Sequence, residues 1–235
     1  MNHNAIDRAA ITTKVPVLSR MLPAIGVVLS LVLAGCANWR TQPRAVFRGV
    51  APSGDAVILS LQQLQTHFKR SIFATLRVHG HRINLVGQWI TTPSPHFNFV
   101  ALTELGTLAV QLQRLKGHTI IRHIAAEFPQ TLAIALGNDL YMALAAPAVA
   151  ARSSPVISLH RHDAQIRVTG SGNWHGALYF AGTAGHLALT RLTSKVGRVI
   201  IRYSRYHKSF QPGRLTILDT GHGLEMTLDF TGDVP

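Results

Sequence analysis

Hydrophobic residues in this chain recur at every second position, segment after segment. Ala74, Leu76 and Val78 alternate with Thr75, Arg77 and His79, and Leu108, Val110 and Leu112 alternate with Ala109, Gln111 and Gln113. Leu224, Met226, Leu228 and Phe230 alternate with Glu225, Thr227 and Asp229, while Ile166 and Val168 flank Arg167. Successive side chains on a strand point to opposite faces, so each stretch describes a strand with one buried and one wet face. Turn residues separate the stretches: Gly80, Thr92-Pro93, Gly106, Lys116-Gly117, Gly170 to Gly172, Gly182 to Gly185, Pro212-Gly213 and Gly221 to Gly223. Many short strands at this spacing predict an antiparallel sheet that curls into a barrel or sandwich.

One segment breaks the pattern. Leu132, Leu136, Leu140 and Leu144 recur every four residues between Pro129 and Ala146. Pro129 suits a first helical turn, and Pro147 is expected to stop the helix. The segment is apolar nearly all round, with Asn138 and Asp139 as the main polar interruption, and a helix of that kind must be buried. Gly137 weakens the helix by about 1 kcal/mol but would let it approach a sheet closely. The predicted fold is therefore mainly β with one buried helix, in the α+β class. It consists of a curved antiparallel sheet forming a half-barrel around that helix.

The amino terminus carries a different signal. Lys14 and Arg20 precede an apolar run from Met21 to Gly35, which ends in Leu33-Ala34-Gly35-Cys36. The run is too short for a spanning helix, which needs about 20 apolar residues. A basic region, a short apolar region and small residues before a cut site make a secretory signal peptide. With cysteine after the cut, the string reads as a bacterial lipobox. Residues 1–35 are thus expected to be a lipoprotein signal peptide, 36–55 a tether rich in proline and glycine, and 56–235 the folded domain. Cys36 would be the site of lipid attachment. Two or three acyl chains would hold it in a membrane durably, where one chain binds only marginally. Ala37, rather than aspartate, follows the cysteine. By the sorting rule of enterobacterial lipoproteins this implies the periplasmic face of the outer membrane.

Composition limits the function. Hydrophobic residues make up 47% of the chain and charged ones 14%, against roughly 25% charged in ordinary soluble domains. Such a chain has apolar surface to hide or a cavity to line. Cys36 is the single cysteine, so the domain would rest on packing with no disulfide. The formal net charge is +13, of which about +11 remains once residues 1–35 are set aside. A basic chain is often a nucleic-acid binder, but export from the cytoplasm argues against that. Anionic head groups and acidic ligands are the partners this charge would suit, unless it is simply a solvated face.

Certain residues in this order carry a resemblance. They are the lipobox, the meander, a helix with Leu136-x-x-Asp139-Leu140, Thr190-Arg191-Leu192, Val199-Ile200-Ile201-Arg202-Tyr203, and closing strands at 215–218 and 224–230. Together they resemble an uncharacterised family of proteobacterial outer-membrane lipoproteins, associated with aryl-polyene and fatty-acid-type gene clusters. That family is similar in architecture to LolA and LolB, the periplasmic carrier and outer-membrane receptor of lipoproteins. The resemblance covers roughly residues 58–230. It implies a half-open barrel whose apolar hollow takes acyl chains under a helix, with no catalytic motif. The family usually has an aromatic residue where this chain has Gly223-Leu224-Glu225.

The remaining constellations are weaker. If the sheet encloses a hollow, Trp89, Phe97, Phe99, Leu136, Leu140, Tyr141, Phe180 and Tyr203 are the candidates to line it. The alternative is that they simply fill the core. Arg77, Arg114, Arg122, Arg167, Arg191, Arg198 and Arg202 fall on or near strands, where they would meet phosphate or carboxylate groups or face solvent. His79-Gly80-His81 and His160-Arg161-His162 have the spacing of paired ligands on a strand. No Cys, Asp or Glu stands at a telling distance, so ordinary surface histidines are expected and no metal. Gly170-Ser171-Gly172 lacks the flanks of a nucleophile elbow, and neither Gly-x-Gly-x-x-Gly nor Walker A occurs. The sequence predicts no enzyme and no cofactor. It predicts an outer-membrane lipoprotein that binds or transfers an acyl or polyene-type amphiphile or acylated cargo. The alternative is an adaptor that docks on an envelope machine through a basic face. The oligomeric state is left open.

Overall fold

A computed structural model describes residues 47, 49–64, 68–91, 96–115, 117–170, 173–206 and 210–231. The predicted signal peptide, Cys36 and most of the tether lie outside the described residues. From Phe47 onward the chain forms one unit.

Its frame is a twelve-stranded antiparallel sheet that does not close. Helix α1 (Gly54–Leu64) leads into a five-strand meander: β1 (Lys69–Val78), β2 (His81–Thr91), β3 (Phe97–Thr103), β4 (Leu108–Leu115) and β5 (His118–Ile124). Helix α2 (Gln130–Arg152) follows. A second meander then runs β6 (Ile157–Leu159), β7 (Ala164–Gly170), β8 (Trp174–Ala181), β9 (His186–Thr193), β10 (Arg198–Ser204), β11 (Arg214–Asp219) and β12 (Leu224–Thr231). The two meanders join where the last strand pairs with the first, from Ser71 opposite Thr231 to Val78 opposite Leu224. The spatial order is β5-β4-β3-β2-β1-β12-β11-β10-β9-β8-β7-β6. Helix α2 touches β4 and β5 near one edge and β7 near the other. A sheet that meets one helix with both flanks must curve around it, which is the half-barrel expected from the sequence.

The predicted alternation sets the faces. Ala74, Leu76, Ile166, Val168, Leu224, Met226 and Leu228 are all buried on the helix side. Their neighbours Thr75, Arg77, Arg167, Glu225 and Thr227 lie on the outer side. Two bulges, at Ala101/Leu102 and Gln111/Leu112, interrupt the register of β3–β4 and β4–β5 and add bend near that edge. His79 (φ 48°) and Gly80 (φ 84°) form the two-residue turn between β1 and β2, both in the left-handed region that such hairpins need.

Two expectations about helices need correction. The sequence reading gave one helix, but the described residues hold two. Residues 54 and 55, assigned to the tether, open α1. Ser53 Oγ accepts the amide N–H of Ala56 at 3.2 Å as a cap, and Asp55 sits favourably in the first turn. Val57 and Leu61, four residues apart, bury one side of α1.

The second correction concerns Pro147, which does not stop α2. The helix runs on through it to Arg152. A proline inside a helix removes the hydrogen bond to the carbonyl four residues earlier, here that of Ala143. Tyr203 on β10 supplies the missing donor, its hydroxyl reaching Ala143 O at 3.4 Å. The orphaned carbonyl therefore has a partner, and the apolar residues 148–150 can continue the helix. By length and composition α2 could cross a bilayer, but two thirds of its apolar stretch is buried within the fold. It is the core helix.

Candidate functional site

The groove worth attention lies where α2 passes the junction of the two meanders. Its walls come from Ala143, Leu144 and Pro147 of α2, Leu64 at the end of α1, and Trp89, Tyr203, Leu215 and Phe230 of the sheet, with Phe68 just before β1. Trp89 is anchored by aromatic contacts. Phe68 meets it edge-on at 5.4 Å between ring centroids, and Phe230 stacks on it at 6.0 Å. The rim is polar. Arg70 lies over the Phe230 ring at 4.5 Å and donates to the Pro212 carbonyl at 2.7 Å. An apolar cleft with a guanidinium at its edge is the arrangement a single-chain amphiphile with an anionic end would require.

The groove is narrow. Its interior volume is about 40 Å³, room for a few waters at most. A long acyl chain would enter only if one wall moved. The wall at Ala143–Pro147 is the weak point of α2, because one helical hydrogen bond is missing there. Its replacement, the Tyr203 hydroxyl, also accepts from Thr190 Oγ1 at 3.3 Å, and burial pushes the phenol well above its usual range. Tyr203 therefore stays neutral and keeps its donor proton.

Of the eight lining candidates named from sequence, Trp89 and Tyr203 stand on the groove wall. Phe97, Phe99, Leu136, Leu140 and Phe180 are buried in the core. Tyr141 is half-buried beneath Arg114, whose guanidinium lies 3.9 Å from its ring. Arg114 also donates to Thr119 Oγ1 at 2.7 Å, and burial lowers its pKa. It clamps β4, β5 and α2 together. Phe68, Arg70 and Phe230 were missed as lining residues. Phe230 had been placed correctly on the buried side of its strand, but only the β1–β12 junction brings it beside Trp89.

One turn before Ala143 lies a buried acid. Asp139 is 2% exposed and its Oδ2 has no hydrogen-bond partner among the described residues. Burial, and then the charge of Asp219, push its pKa up to about 8. Asp219 is itself held by the backbone N–H groups of Gly221 and His222 and by the His222 ring at 2.5 Å.

The histidine pairs do not converge. His79 sits in the β1–β2 turn and His81 opens β2. In the other pair, His160 N–H bonds Asp163 O within the β6–β7 turn, while His162 Nδ1 lies 2.8 Å from Gly49 O. Among the described residues no three His, Cys, Asp or Glu side chains gather as a metal site would require.

No protein-family model and no curated protein matches this chain. Among solved structures, it is similar to a LolA superfamily protein from Nitrosomonas europaea, with 12% identity and a TM-score of 0.47 over 79% of this chain and 96% of the other. A domain from Vibrio parahaemolyticus with a proposed outer-membrane lipoprotein-sorting role has 6% identity and a TM-score of 0.42, over 77% and 92%. A DUF1329-family protein from Desulfovibrio piger has 7% identity and a TM-score of 0.36, over 78% and 92%.

Proposed function

We propose that this chain is a non-catalytic lipoprotein of the outer membrane, anchored at Cys36, that binds or transfers an acyl or polyene-type lipid or an acylated protein at the periplasmic face. The observation that carries this reading is the apolar groove between α2 and the β1–β12 junction, with Arg70 at its rim and the proline-interrupted stretch of α2 in its wall. The apolar chain would lie along Trp89, Leu215 and Phe230, and the polar end would meet Arg70. Shielding a chain of about 12 to 16 carbons contributes up to about 10 to 13 kcal/mol at roughly 0.8 kcal/mol per CH₂. Part of that offsets opening the groove and ordering the chain.

The test is mass spectrometry of organic extracts of the full-length protein purified from membranes. Wild type should carry a stoichiometric acyl or polyene amphiphile, and Ala143→Phe, which fills the groove, should not. In the same preparations wild type should carry acyl groups covalently at Cys36, and Cys36→Ser should carry none. Protein free of amphiphile, and unable to take one up, would favour the adaptor reading instead.

A further inference from the structure

The outer face of the sheet carries an ordered basic surface. Across β2, β1, β12, β11, β10, β9, β8 and β7, the directly opposed residues are Arg82, Arg77, Glu225, Leu218, Ile200, Arg191, Ala177 and Arg167. At roughly 4.8 Å per strand this row runs on the order of 30 Å. Arg198 and Arg202 lie exposed on the same side of β10. The twelve strands hold three carboxylates in all: Asp219, Glu225 and Asp229. Asp219 is buried, and Asp229 is held by Arg214 at 2.6 and 2.8 Å and by Arg205 at 3.1 Å. Glu225, 3.8 Å from Arg77, is left to balance the row.

Two local features say what this face meets. Arg77 stands directly opposite Arg82, and like charges opposed across a ladder destabilise it. The pair borders a hollow of about 270 Å³, also lined by Phe73, Thr75, Arg214, Thr227 and the carboxylates of Glu225 and Asp229; Glu225 faces Arg77 and Asp229 is held by Arg214, so Arg82 is the guanidinium in excess there that an anion would balance. Beside it, Phe73 faces Val86 across the same two strands, and they are 37% and 40% exposed. Cationic side chains around an exposed apolar pair form the pattern of a surface that sits at the boundary between head groups and acyl chains.

We propose that this outer face docks on a phosphate-bearing, anionic lipid surface. The arginine row meets head-group phosphates, and Phe73 and Val86 enter the boundary beneath them. The docking does not need the groove to be filled, so it stands or falls separately from the carrier reading.

The full-length chain with Cys36→Ser, which cannot be acylated, is sedimented with vesicles of phosphatidylcholine alone and with vesicles that also contain phosphatidylglycerol. It should bind the anionic vesicles more tightly, and added salt should weaken that binding. Arg77→Gln with Arg82→Gln should weaken it by about 25-fold, at about fivefold per arginine. Arg152→Gln with Arg161→Gln removes the same charge from the end of α2 and from the β6–β7 turn, outside the arginine row, and should change binding less than about twofold. Equal binding of the parent protein to both vesicle types would overturn the proposal and leave the face to an acidic protein partner. Equal losses in the two double variants would also overturn it, by showing that net charge alone drives the binding.

Discussion

Asp139 sits on the core helix with one carboxyl oxygen unpartnered and Asp219 as its charged neighbour. Its pKa is raised from 3.8 to about 8, so the folded state holds a proton there that the unfolded chain releases. Stability from this group is greatest below the unfolded value and is lost as pH rises toward 8. Over that window the loss is about 1.4 kcal/mol per pH unit. Asp139→Asn removes the titration. Urea denaturation from pH 5 to pH 9 should show wild type losing stability relative to this variant, and parallel curves would refute the assignment. Gly137 is the second telling residue. A Cβ there would lie 2.3 Å from Thr119 Cγ2 on β5, and a β-branched side chain has little freedom to withdraw. Gly137→Ala should therefore destabilise by about 1–3 kcal/mol through overpacking, despite the roughly 1 kcal/mol gain in helix propensity. Thermal or urea melts decide the sign. The close approach at Gly137 could be anticipated, because a glycine in an apolar helix wants a reason. Burial, the larger cause of the raised pKa of Asp139, followed from the apolar helix around it; the added effect of Asp219 could not be anticipated, because that residue lies 80 positions away in sequence.

At the scale of elements, the strands were legible and the helices only partly so. Period-2 alternation needs no tertiary information, and the segments at 74–78, 108–112, 166–168 and 224–230 all lie within strands with their apolar residues inward, except that the bulge opposite Ala101/Leu102 buries Ala109 and leaves Leu108 half-exposed. Helix α1 was hidden by Pro52 and Gly54, although Ser53, Asp55, Val57 and Leu61 hold its cap and its spacing. The end of α2 was misjudged because the rule for proline assumes an orphaned carbonyl, and Tyr203 removes that assumption. This account makes a specific coupling. Tyr203→Phe leaves Ala143 O without its donor and should cost about 1–3 kcal/mol. In a Pro147→Ala background the new N–H takes that carbonyl, so the same change should cost less. A double-mutant cycle by urea denaturation measures the difference, and strict additivity would contradict the explanation.

For the whole molecule, the sheet presents two different surfaces. The inner face holds α2 and the groove at the junction of the meanders. The outer face carries the arginine row. A curved, unclosed sheet around one helix followed from the pattern of the sequence. The groove did not, because its walls come from both helices, from β2, β10, β11 and β12 and from Phe68, and the predicted aromatics mostly pack into the core. The central claim is that an acyl chain enters beside Trp89. A bromine-bearing fatty acid quenches indole fluorescence on contact, so it reports that position directly when titrated into the full-length protein. The account predicts saturable quenching in wild type that disappears in Trp89→Phe, with Trp39 and Trp174 still emitting. Quenching that never saturates, or that persists unchanged in Trp89→Phe, would contradict it.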